Sequence, residues 1–233
     1  MRLSGRRVLG ALAVSLLLAS TGCTSQVSGT AKRDPVTAPL AVTKDKYGIA
    51  AGFDDAPVRL EIYTEPQCSH CADLQADFGD QIRYYVGIGQ LQVTYRPLTF
   101  LDAGGSTYSA RISNALFLAA GGNASSDGAQ RATGTQFQKL IEELWSHQQP
   151  GGKGPSDDEI ADFARDAGVP AAEADDIRHA KTGIDVDELE DINYEFLTEV
   201  SDGNPGTPTV YDIDRDMKVD IYDNDWLSTL MQR

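Results

Sequence analysis

Cysteines at 68 and 71 enclose Ser69 and His70, a C-x-x-C pair within "EPQCSHCADL". Such a pair can exchange a disulfide, hold half of a metal site, or fill a core. A closed zinc site needs about four protein ligands with a second pair at matching spacing, and none follows. His147 and His179 are isolated and read as surface helix residues, so no metal and no cofactor is expected. Core filling also explains the pair poorly if the chain is exported, because two cysteines three apart outside the cytosol find each other and oxidise.

Export is what the first residues indicate. Arg2, Arg6 and Arg7 precede the apolar run Val8 to Ala19, and small residues lead to Cys23. A dozen apolar residues fall short of the roughly 20 that span a bilayer, so residues 1–22 read as a cleaved leader rather than an anchor. Ser20, Thr21 and Gly22 resemble a bacterial lipobox, which would make Cys23 the lipidated first residue of the mature chain; a plain leader with an incidental cysteine is the alternative. The Ser-, Thr- and Pro-rich stretch 23–47 then reads as a flexible tether. Beyond residue 22 the chain holds 17 basic and 35 acidic side chains, a net charge of −18. Nucleic acid and anionic headgroups are poor partners for such a surface. The expected location is extracytoplasmic, on the outer face of the cell membrane.

The elements that position the cysteines follow from hydrophobic period. "VRLEIYT", 58–64, is rich in β-branched and aromatic residues and stops at Pro66, as a strand does. Cys71, Leu74, Phe78, Ile82 and Tyr85 recur at three- and four-residue steps, one face of a helix that Cys68 begins. "LQVTYRPLTF", 91–100, is a second strand, completing a βαβ unit with parallel strands. Residues 104–202 are too long for a loop and carry helical periodicity, including a Ser156/Glu159 capping box. "TPTVYDID" and "MKVDIYD" then predict a hairpin, and "WLSTLMQR" a closing helix. Asp212, Asp214 and Asp216 mimic the start of a calcium loop, but Met217 stands where its glycine belongs, and a solvated turn is the better reading. The sum is an α/β chain with a mixed sheet.

A cysteine that starts a helix faces unpaired amides and about half a positive charge, which favour its thiolate. A protonated or hydrogen-bonding His70 would add to this. A fall of about 3 pKa units would stabilise the thiolate by about 4 kcal/mol. That energy favours the reduced pair, so the disulfide would be oxidising and pass to a client, with Cys71 as the buried resolving thiol.

"GIAAGFDDAPVRLEIYTEPQCSHC", the helical stretch and "GTPTVYDI" together resemble the DsbA-like branch of the thioredoxin superfamily, exported disulfide oxidoreductases, over about residues 48–233. The resemblance implies a thioredoxin-like domain, 48–103 and 203–233, interrupted by an all-helical insertion, 104–202. It implies catalytic roles for Cys68 and Cys71 with Ser69 and His70 between them, and a cis-proline loop at Thr207-Pro208 that docks an extended client strand. It further implies exported clients with free cysteines, a membrane partner that reoxidises the pair, and a monomer. A reductase, an isomerase or a non-catalytic peptide-binding lipoprotein are the rival functions. Many relatives carry a buried acid on the first strand to move protons; Ile62 stands at that position here, and Glu61 falls on the opposite face.

Overall fold

The computed structural model describes residues 37–121 and 131–232 of the 233. The leader, Cys23 and the first part of the tether lie outside the described residues.

Seven-residue strands β3 (Val58–Thr64) and β4 (Leu91–Pro97) flank helix α1 (Ser69–Gly87), the βαβ unit read from the sequence. They pair in parallel from Val58–Leu91 to Thr64–Pro97. β5 (Thr209–Asp212) returns antiparallel to β3, setting Ile62 opposite Val210 and Tyr63 opposite Thr209. Two further strands extend the β4 edge, β1 (Leu40–Val42) and β2 (Ile49–Ala51), and β6 (Met217–Lys218) closes the other, giving the order β1-β2-β4-β3-β5-β6. The mixed sheet and its helices make a thioredoxin-like fold.

Two segments depart from the sequence reading. The tether expected through residue 47 already contains β1, and Ala38 beside it is buried, because β2, itself paired with β4, supplies a partner for a strand too short to announce itself. The second arm of the hairpin ends at Lys218. Beyond it, Asp220 and Asp223 accept hydrogen bonds from the amides of Tyr222 and Asp225, and these turns replace the expected ladder.

Between β4 and β5 run α2 (Tyr108–Ala119), α3 (Gly134–Ser146), α4 (Asp157–Ala167), α5 (Ala171–Arg178) and α6 (Val186–Val200). The Ser156/Glu159 capping box forms as read, and α3 has a second one, Thr133/Gln136. Period two divides the sheet. Leu60 and Ile62 join Leu74, Phe78 and Ile82 of α1 in the main core, while Tyr63 packs with Leu98 and with Leu197 of α6 on the other face. Helix α7 (Trp226–Met231) seals the α1 side, with Trp226 edge-on to Phe78 at 5.3 Å. Burying each such side chain contributes about 1.5–3 kcal/mol, so α1 is held to the sheet along its whole apolar face.

Candidate active site

Cys68 is the N-cap of α1, in extended conformation with φ −75° and ψ 116°. Glu65 and Cys68 close a turn through the Cys68 amide at 3.0 Å, and the Cys68 carbonyl accepts from Cys71 and Ala72 at 3.0 and 3.2 Å. The helix thus begins directly at the thiol, and its first turn carries no acid to compete for the free amides.

Both cysteines are thiols here, Cys68 half-buried and Cys71 fully buried. The Cys71 thiol hydrogen-bonds Cys68, and with the Thr207 hydroxyl and the amides of Cys71 and His70 it lowers the Cys68 thiol to about 5 despite partial burial. Burial drives Cys71 the other way, and the neighbouring Cys68 thiolate reinforces the rise. Two sulfurs one helical turn apart therefore differ sharply in acidity: one reachable and anionic, one enclosed and protonated.

His70 contributes through its backbone amide. Its imidazole is exposed and turns to Asp73, 3.5 Å away. Ser69 is the exposed first residue of α1. Across from the pair, the Thr207–Pro208 peptide bond is cis, and the Cys68 thiol donates to the Thr207 carbonyl at 3.2 Å. Pro208 also borders a groove of about 210 Å³ shared with His70, Leu74, Phe78 and Tyr222.

Glu61 stays on the far face. It pairs with Arg96 at 2.8 Å and accepts from Tyr63 at 2.7 Å, and Arg96 reaches on to Asp45 at 2.9 Å. The buried acid near the thiols is instead Glu65, which sequence reasoning passed over. Its carboxylate has no exposure and accepts from the Ser109 hydroxyl and from the Gln67 amide, the latter at 2.6 Å. Burial raises it to about 7, and the Cys68 charge adds to that rise. Its signal was positional: an acid in the turn between a buried strand end and a helix-capping cysteine. The calcium-like aspartates are occupied within the chain. Asp212 accepts from the amides of Asp214 and Arg215, Asp214 pairs with Arg59, and Asp216 takes the Tyr211 hydroxyl.

This geometry coincides with what comparison shows. A family model described as thioredoxin matches residues 44–220, more than two thirds of the chain. The chain belongs to the thioredoxin family. Its fold is DsbA-like: it is similar to MdbA, a thiol-disulfide oxidoreductase from Corynebacterium diphtheriae, with a TM-score of 0.64 at 19% identity over 85% of this chain and 95% of that one. Reduced DsbA from Mycobacterium tuberculosis gives a TM-score of 0.61 at 16% identity, covering 80% of this chain and 91% of that one. By sequence the chain is 27% identical over 187 residues to the serine/threonine-protein kinase PknE of Mycobacterium tuberculosis, covering 79% of this chain. It spans only 31% of that curated relative's length.

Proposed function

We propose that this thioredoxin-family chain is an extracytoplasmic thiol-disulfide oxidoreductase that donates disulfides to exported proteins through Cys68 and Cys71. The observation that carries this reading is the half-buried Cys68 thiol capping α1 against the Thr207 carbonyl, one helical turn from the enclosed Cys71 thiol, an arrangement that lowers the first and raises the second. In the oxidised pair a client thiolate attacks the accessible Cys68 sulfur. The Cys68–Cys71 bond breaks, and Cys71 leaves with the electron pair and takes up a proton. The client's second thiolate then attacks the client sulfur of the mixed disulfide, and Cys68 departs as a thiolate that its surroundings already stabilise. The client loses two electrons and the pair gains them, so a membrane partner with oxidising power must restore the disulfide.

Thr207 would dock the client as an extended strand through its main chain, with Pro208 and the adjoining groove receiving side chains. Leader cleavage and lipidation of Cys23 would tether the monomer to the outer face of the membrane; among the described residues no helix is long and apolar enough to cross one. The helical stretch 104–202 acts as an insertion in the thioredoxin-like domain formed by 48–103 and 203–233.

Equilibration of the pair against glutathione tests the direction. A reduction potential of about −120 to −180 mV is expected, and a value near −270 mV would instead mark a reductase. A Cys71→Ala variant should accumulate mixed disulfides with clients, whereas Cys68→Ser should abolish turnover.

A further inference from the structure

The segment leaving α3 is fastened to the backbone of the cysteine pair, and the chemistry above does not use it. Helix α3 runs antiparallel to α1. Thr135, at its start, meets Gly87 at the end of α1, and Glu142, further along, pairs with Arg83 at 3.2 Å. This direction delivers Gln148, just past the helix, to the first residues of α1. There its side-chain amide donates to the carbonyl of Pro66 at 2.7 Å and to that of Cys68 at 2.9 Å.

The strap that follows is tied down at several points. The Gly151 amide donates to Gln67 at 3.2 Å, the Gln149 amide to the Tyr108 hydroxyl at 3.3 Å, and Arg111 holds the carbonyls of Lys153 and Pro155, both at 2.7 Å. Gly154, with φ +67°, lies against Tyr108 so closely that a Cβ would fall 2.4 Å from the ring. Only glycine fits a left-handed position pressed onto a ring in this way, so the strap follows one path.

Carbonyl oxygens 66 and 68 are the negative ends of peptide dipoles on the thiol's own backbone. The Cys68 carbonyl also accepts from the Cys71 and Ala72 amides, whereas the Pro66 carbonyl takes Gln148; each oxygen opposes a negative charge on the sulfur less the more donation it receives. One amide group that bonds both oxygens offsets them and fixes the turn from which the sulfur projects. We propose that Gln148 is a positioning residue for the Cys68 thiolate, so that the helical segment sets the acidity of a thiol carried by the βαβ unit. This rests on the reading of Cys68 as the reactive sulfur.

Absorbance titration of the thiolate near 240 nm in the reduced full chain tests it, with a thermal melt of each variant to establish folding. Gln148→Ala should raise the Cys68 midpoint by about half a unit to one unit, and Gln148→Glu, which cannot donate and adds a negative charge, should raise it further. Gln148→Lys keeps a donor and adds a positive charge, so its midpoint should stay at or below that of the wild type although the side chain is no better a fit. A Gln148→Ala midpoint within about 0.2 units of wild type, or a Gln148→Lys midpoint that rises alongside it, overturns the proposal, the second by reducing Gln148 to a loop fastener. A wild-type midpoint in the ordinary range of about 8.5 to 9 overturns the reading of Cys68 itself, whereas a low wild-type midpoint with unmoved variants overturns the role of Gln148 alone.

Discussion

Cys68 and Thr207 meet across 139 residues of sequence, the thiol donating to the Thr207 carbonyl at 3.2 Å while the Thr207 hydroxyl favours the thiolate. Thr207→Ala removes the hydroxyl and leaves the carbonyl. The Cys68 midpoint is expected to rise by about one unit, read by thiolate absorbance; an unchanged midpoint would show that the hydroxyl does not serve the sulfur.

The lowered Cys68 thiol makes the stability of the reduced chain depend on pH. A folded-state pKa of about 5 lies below the ordinary 9.0, so the unfolded state binds more protons between those values. The stabilisation is therefore complete above about pH 9, declines as pH falls, and is gone below about pH 5. Denaturant midpoints of the reduced wild type and of Cys68→Ser should diverge from pH 5 to 9 and run parallel below. Parallel behaviour throughout would contradict the lowered thiol.

Glu65 has the opposite sign. Its carboxyl rises from 4.5 to about 7 on folding, chiefly through burial, so the folded state holds its proton more tightly. The stability this brings is present below about pH 4.5 and is lost as pH climbs past 7. Glu65→Gln removes the titration while keeping an oxygen for the Gln67 backbone amide and turning its NH2 to the Ser109 hydroxyl, which can accept, and should gain on the order of 2–3 kcal/mol over the wild type between those limits. Urea melts at pH 4.5 and 8 measure the difference.

Arg96 is buried on the α6 side with Glu61 and Asp45 as partners and the Phe196 ring 4.7 Å from its guanidinium carbon. Arg96→Met strands two carboxylates and should cost about 3–5 kcal/mol of stability. Because the cluster faces away from the thiols, the reduction potential of the folded variant should match that of the wild type, and a large change would show that the two faces of the sheet are coupled.

What the sequence made legible was local. The cysteine at a helix start, the apolar face Leu74–Phe78–Ile82 and the Ser156/Glu159 cap are written in neighbouring residues, and each formed as read. Strands β1 and β2 are three residues each; β2 is a strand because it pairs with β4, about 45 residues away in sequence, and β1 because it pairs with β2, and no local period records either. Asp220 and Asp223 sat in a pattern of alternating apolar residues but used their side chains to cap turns. Glu65 and Gln148 escaped notice for a related reason: an acid and an amide in polar turns look solvated until Ser109 and the carbonyls of residues 66 and 68 are brought to them.

The contacts that tune Cys68 arrive in order along the chain: its own helix first, Gln148 at the far end of α3 next, and Thr207 last. A polypeptide threaded outward from its N-terminus would therefore present this sulfur with the contacts of its own helix alone until residues 148 and 207 are in place. The last increments of its acidity come from completion of the fold, from segments 80 and 139 residues further along the chain.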